Sequence, residues 1–190
     1  GIVSAQEPAV QRGYLLSPGD EITGKVLGEP QYDFVSTVND NGMIYVPFSP
    51  DNKPVIAKCR SELELRTEIT NLLSRYLRNP QVSLNIKKNY ETATIYGEVL
   101  EPARVELRRK ITLIEMLAIA KDIKEEASGM IQVTRTQPPV CVDNYAAKDI
   151  WTSKTGDPSD APTRMYSLAA VKLGKEESNP VIYPGDVITV

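Results

Sequence analysis

Tyr14-Leu15-Leu16-Ser17-Pro18-Gly19-Asp20-Glu21-Ile22 near the start of the chain and Val181-Ile182-Tyr183-Pro184-Gly185-Asp186-Val187-Ile188-Thr189-Val190 at its end are two versions of one phrase. In each, an apolar segment runs into Pro-Gly-Asp and leaves as an alternating strand. Pro18 and Pro184 fix φ and have no N–H to donate, so they end the incoming strand. Gly19 and Gly185 supply the backbone freedom of a turn, and Asp20 and Asp186 can accept hydrogen bonds from neighbouring backbone N–H groups. Both phrases are expected to be strand–turn–strand elements, one opening the folded part of the chain and one closing it. They carry no chemistry by themselves.

The chain has 190 residues, a hydrophobic fraction of 41% and a net charge of −3 from 22 basic and 25 acidic residues. That length suits one large or two small domains. A mildly acidic chain lacks the electrostatic footprint of a nucleic-acid binder. No run reaches the ~18 apolar residues that cross a bilayer. The longest candidate, 111–123, is interrupted by Thr112, Glu115, Lys121 and Asp122. Histidine is absent, which removes Ser-His-Asp and Cys-His nucleophile systems and His metal sites. Two isolated cysteines, Cys59 and Cys141, make no zinc motif. In an oxidising compartment they can pair; in a reducing one they are small, mostly buried residues. The chain opens on Gly1, so any leader lies upstream of the sequence.

Between the two phrases the periodicities predict an α+β chain of two small domains. Residues 1–13 read as a flexible arm. Strands are expected at 21–27, 34–38 and 43–46, the last two joined as a hairpin through Asn39-Asp40-Asn41-Gly42. Ser61 with Glu64 forms a capping box. It opens a helix whose inner face carries Leu65, Ile69, Leu72, Leu73 and Tyr76, and which ends before Asn79-Pro80. A strand at 81–86 completes the first unit, 14–88. The second unit, 89–190, begins with a hairpin from 92–99 and 104–107 turned by Pro102. Thr112 and Glu115 make a second capping box, followed by a helix facing inward through Leu113, Leu117, Ala120 and Ile123. A strand at 130–135 follows. Hairpin, helix, strand is the order of a β-grasp. From 136 to 163 the pattern stops in a Pro-rich stretch holding the single tryptophan, Trp151. Its length exceeds the ~12–15 residues usual for structureless loops. A strand resumes at 165–168.

The set Tyr14-x-Leu16-x-Pro18-Gly19-Asp20-x-Ile22, Gly42-x-Ile44-x-x-Pro47 and Asn79-Pro80-Gln81-Val82 resembles the polysaccharide export domain of bacterial outer-membrane export proteins. Gly97-Glu98-Val99-x-x-Pro102, Thr112-Leu113-Ile114-Glu115 and the stretch from Asn179-Pro180 to Val190 resemble the soluble-ligand-binding β-grasp domain that follows it. The likeness covers 14–190 and lies in the order and spacing of the motifs. Four places depart from the pattern. Ala103 follows Pro102 and Ala120-Lys121-Asp122 follows the second helix where glycines are usual, Cys59 replaces a common glycine, and Phe48-Ser49 replaces a small turn.

The resemblance implies an exporter component rather than an enzyme, with no cofactor. It implies a periplasmic location at the outer membrane, with a lipid on an N-terminal cysteine outside this sequence. It further implies polysaccharide as cargo, assembly into homo-oligomeric rings, and an inner-membrane copolymerase as partner. The alternative is a periplasmic carbohydrate-binding module that forms no channel. The fragment 1–190 is expected to associate weakly by itself.

Three candidate sites stand beside these expectations. Asp20 and Asp186 can be read as a catalytic acid pair, but their equivalent turns favour a capping role; a glycosidase holds its two carboxylates ~5–10 Å apart in a cleft. Trp151, with Tyr145 and Arg135 at the edges of the irregular stretch, can stack on a sugar, pack on a neighbouring subunit, or anchor the loop on its own domain. Arg108-Arg109-Lys110 can meet an acidic glycan or partner, or be a solvated turn.

Overall fold

The computed structural model describes residues 13–157 and 159–190, so the expected flexible arm lies outside the described residues except for Gly13. The chain divides into two compact units, 1–89 and 90–190.

The first unit contains β1 (Glu21–Val26), β2 (Phe34–Thr37), β3 (Met43–Ile44), β4 (Val55–Ile56), α1 (Glu62–Leu73) and β5 (Val82–Lys87). The three longer strands form an antiparallel sheet in the order β2-β1-β5, with Ile22 opposite both Ser36 and Ile86. Strand alternation turns Ile22 and Val26 inward. They meet Leu65, Ile69 and Leu73 of α1, together with Phe34, Ile44 and Phe48, in one apolar core. The expected capping box opens α1: the Glu64 N–H donates to Ser61 Oγ at 3.2 Å and the Ser61 N–H to Glu64 Oε2 at 2.7 Å.

Two expectations for this unit are corrected. The Asn-Gly turn forms, with the Asn39 N–H bonded to the Met43 carbonyl at 2.9 Å and Asn39 Oδ1 accepting from the N–H groups of Asn41 and Met43. It does not join β2 to β3 as a ladder, however. The Tyr45 N–H is taken by the Ser36 hydroxyl, and β3 pairs instead with β4. The helix also stops at Leu73 rather than near Arg78. The Arg75 and Tyr76 N–H groups bond three residues back, to Leu72 and Leu73, and this tighter turn takes Tyr76 off the inner face. Tyr76 is 53% exposed and lies against Tyr32 with ring centroids 6.1 Å apart.

The second unit contains β6 (Thr92–Tyr96), β7 (Ala103–Glu106), β8 (Ile111–Thr112), α2 (Leu113–Ile119), β9 (Met130–Arg135), β10 (Thr163–Ser167), α3 (Leu168–Lys172), β11 (Val181–Ile182) and β12 (Asp186–Thr189). Its main sheet runs β10-β9-β12-β6-β7. β12 is parallel to β6 and every other pairing is antiparallel. The last strand thus lies between the opening hairpin and β9. One face packs Ile95, Ile131, Val133 and Ile188 against Leu113, Met116 and Leu117 of α2. Met116 was missed by the sequence reading and is fully buried. The short α3, not anticipated, adds Val171 to the same core.

Three residues at two of the four departures adopt a backbone that glycine favours. Lys121 (φ 57°), Asp122 (φ 73°) and Cys59 (φ 62°) all lie in the left-handed region. Each costs a side-chain-bearing residue about 1–2 kcal/mol. Asp122 offsets part of this through its carboxylate, which accepts from the Ile123 N–H at 2.9 Å. Lys121 gains only an exposed ion pair with Glu101. Lys121→Gly is therefore expected to stabilise the second unit, raising the urea midpoint by the equivalent of up to about 1 kcal/mol.

Candidate functional site

The two Pro-Gly-Asp phrases build the same turn. In the first, the Ser17 N–H donates to Asp20 Oδ2 at 2.9 Å and the Asp20 N–H returns to the Ser17 carbonyl at 3.1 Å. In the second, the Tyr183 N–H donates to Asp186 Oδ2 at 2.9 Å and the Asp186 N–H returns to the Tyr183 carbonyl at 3.0 Å. Gly19 (φ 92°) and Gly185 (φ 82°) both have the left-handed backbone that the turn needs. The first phrase differs from expectation in having no assigned strand before its turn. Leu16 exchanges backbone bonds with Cys59 and Arg60 there instead.

Both aspartates are fully buried, so each must find further donors. Asp20 accepts from the Tyr14 hydroxyl at 2.8 Å and the Asn89 N–H at 2.8 Å. Asp186 takes an arginine. The β9–β12 register sets Arg135 directly opposite Asp186. Arg135 Nε donates to Oδ1 and Nη2 to Oδ2, both at 2.9 Å. This bidentate pair is 3% and 0% exposed at its two ends. Neither carboxylate is left free to act as an acid or base, and the acid-pair reading gives way to the turn-capping one.

Arg135 reaches further. Its Nη1 donates to the Asp149 carbonyl, and the Tyr183 hydroxyl donates to Asp149 Oδ2 at 2.9 Å. The guanidinium lies 3.9 Å from the Trp151 ring centroid and 4.7 Å from that of Tyr183. Tyr145 stacks on Tyr183 at 3.8 Å. The irregular stretch is thus tied to the sheet through one buried cation. Burial pushes the Asp186 carboxyl up, against the opposing pull of Arg135. Burial likewise raises Tyr145 to about 12, and raises Tyr183 with the help of its bond to Asp149.

The sequence reading placed Trp151, Tyr145 and Arg135 near one another, and the structure brings them together. Trp151, however, is only 8% exposed, and the Arg164 guanidinium also lies over its ring at 4.5 Å. No open face remains for a sugar to stack on, so the ring anchors the loop on its own domain. Asp149, Tyr183 and Arg164 escaped the sequence reading, since no local pattern announces a contact made across the sheet.

Two of the three charges in the basic run are neutralised. Arg108 pairs with Glu106 at 2.8 Å and Arg109 with Glu115 at 2.7 Å, while Lys110 is exposed. Glu115 is also held by the Thr112 N–H in the second capping box, which together with Arg109 keeps its carboxyl below the usual range. Among the described residues no group of acidic or cysteine side chains is arranged to hold a metal ion.

With this geometry in hand, the chain can be set beside known proteins. Residues 8–87 match the family of polysaccharide biosynthesis/export proteins. That match lies within the first unit and supports a place for it in the polysaccharide export family. No curated protein is similar enough to count as a match.

Removing one member of a buried ion pair costs about 3–5 kcal/mol, because the other charge is stranded. Arg135→Met and Asp186→Asn are each expected to lose about that much in urea denaturation, and the double variant, which strands no charge, less than either single variant. The raised tyrosines give a pH dependence. Folding favours neutral Tyr145, so its contribution is complete below its ordinary value of 10 and is lost as the pH climbs toward about 12. An alkaline titration followed by tyrosinate absorbance should show Tyr145 ionising only with unfolding, and Tyr145→Phe should flatten the loss.

Proposed function

We propose that the chain is a periplasmic subunit of an outer-membrane-associated ring that carries capsular or exopolysaccharide outward. The observation that carries this reading is the family match over the first unit, joined to a second unit that repeats its buried-aspartate turn on a β-grasp sheet. An export family works in the periplasm or at the outer membrane. No helix among the described residues is long and apolar enough to cross a membrane. In this reading a lipid on an upstream cysteine anchors the protein. Neither Cys59 nor Cys141 is a free thiol, which suits an oxidising compartment. An inner-membrane copolymerase would deliver the polymer, and copies of the full-length protein would complete the ring. The exposed charges of the Arg108-Arg109-Lys110 turn are candidates for contact with an acidic partner. Tyr145, on the surface side of the Arg135 cluster, is a candidate for contact with a neighbouring subunit.

A strain lacking the gene is expected to lose external polysaccharide and to regain it on complementation with the intact gene. Unchanged external polymer, in a strain with no duplicate of the gene, would replace the ring with the channel-free carbohydrate-binding module.

A further inference from the structure

The main sheet of the second unit has two outer strands, β10 and β7. The ladder between β9 and β10 decides which amides of β10 are used. In an antiparallel pair, residues that exchange backbone bonds with the partner alternate with residues whose N–H and C=O point the other way. The Arg135 N–H donates to the Pro162 carbonyl, and the Leu168 N–H to the Gly129 carbonyl. The register between these two bonds sets Arg164 and Tyr166 to bond with β9. Thr163, Met165 and Ser167 therefore turn their N–H groups away from the sheet. None of these three N–H groups has a backbone partner among the described residues, and all three residues are exposed. Such an edge is a template for a further strand.

Charge and side-chain alternation narrow what that strand can be. Arg164 and Tyr166 face one side of β10, and Thr163, Met165 and Ser167 the other. The Arg164 guanidinium is held over the Trp151 ring at 4.5 Å, and its Nη1 donates to the Lys148 carbonyl at 3.5 Å. With Thr152, Lys154 and Asp160 it borders a cavity of about 610 Å³. Neither Arg164 nor Lys154 has a carboxylate partner among the described residues. Asp160 is the one acid there, and it accepts from the Thr155 hydroxyl. An incoming carboxylate thus meets two cations and one acid. On the other side Met165 lies diagonally across from Met130, and both are exposed. The matching strand carries acids on one face and apolar residues on the other. A second copy of β10, Thr-Arg-Met-Tyr-Ser, brings no carboxylate to Arg164. The opposite edge, β7, has Arg104 and Glu106 on one face and offers no single sign.

We infer that β10 takes up an acidic, extended peptide segment of a partner protein as a sixth strand of the sheet, with a carboxylate on Arg164 and its backbone on the outward amides of Thr163, Met165 and Ser167. The inference concerns this edge of the second unit alone and does not depend on the exporter reading.

The full chain would be titrated with a capped heptapeptide, Val-Glu-Val-Glu-Val-Glu-Val, whose alternation puts every carboxylate on one face. The readout is amide hydrogen exchange, followed residue by residue by NMR. Binding should protect the Thr163, Met165 and Ser167 amides with a Kd of about 1 mM or tighter. Arg164 and Tyr166, already bonded to β9, should change little. A peptide residue bonded to Met165 shares its face, so N-methylation of the valines should abolish binding and N-methylation of the glutamates should leave it. Glutamine in place of the glutamates, or Arg164→Gln in the protein, should weaken binding about tenfold, the worth of one charge-assisted hydrogen bond. Met165→Pro removes an outward N–H and no bond to β9, and should abolish binding with native circular dichroism retained. The peptide variants leave the protein untouched, so the test stands whatever Met165→Pro does to the fold. No protection by the glutamate peptide, equal binding of the glutamine peptide, unchanged binding by Arg164→Gln, or tolerance of N-methylvaline would overturn the inference. So would protection of the same three amides that rises with protein concentration alone, which would assign the edge to a second copy.

Discussion

A buried carboxylate must be surrounded by donors, and in this chain that requirement shapes both units. Each Pro-Gly-Asp turn drives an aspartate into the interior, where it captures the backbone N–H three residues before it. What remains of its hydrogen-bonding capacity is met differently in the two units. Asp20 recruits a tyrosine hydroxyl and a backbone N–H. Asp186 recruits a complete guanidinium. An arginine brought inside for one purpose has three nitrogens to satisfy, and meeting that need draws the Asp149 carbonyl, the faces of Trp151 and Tyr183, and through them the irregular stretch, onto the sheet. One turn residue thus organises a region many residues away in sequence.

The parts of the fold legible in the sequence were those set by short-range chemistry. The capping boxes at Ser61 and Thr112 are local geometry written in two residues each. β9 was read at its observed bounds, 130–135, because alternation is strict there. The α+β class followed from the succession of such elements. What failed depended on competition between partners. The Asn39–Gly42 turn carries the strongest short hairpin signal, and the turn itself forms, yet the Ser36 hydroxyl takes the N–H that would have continued the ladder. The periodic face of α1 runs through Tyr76, but bonding three residues back ends the helix first.

The site was half legible for the same reason. Arg135, Tyr145 and Trp151 were grouped because they flank one unpatterned stretch, and they do meet. The pairing of Arg135 with Asp186 needed the register of β9 against β12, which no single stretch of sequence specifies. Stacking of Trp151 on a glycan was a fair reading of an aromatic in a loop, but the indole already has two guanidinium groups over its ring and little exposed surface. The left-handed residues Lys121, Asp122 and Cys59 show the converse. There the backbone conformation persists where the customary glycine does not, so local shape is held by tertiary context rather than by residue type.

The position of β12 bears on how the second unit comes into being. The last strand in the described chain is also the central one of its sheet, parallel to β6 on one side and antiparallel to β9 on the other. Until it arrives, the opening hairpin and the β9–β10 pair have no shared edge, and Asp186 is not there to meet Arg135. As the chain emerges residue by residue during synthesis, this unit cannot close its core until β12 has followed. During that interval Ile95, Ile131 and Val133 would be open to solvent. Such a unit is long-range in its contacts and slow to complete, and while it waits it is the kind of surface that a holdase chaperone would shelter.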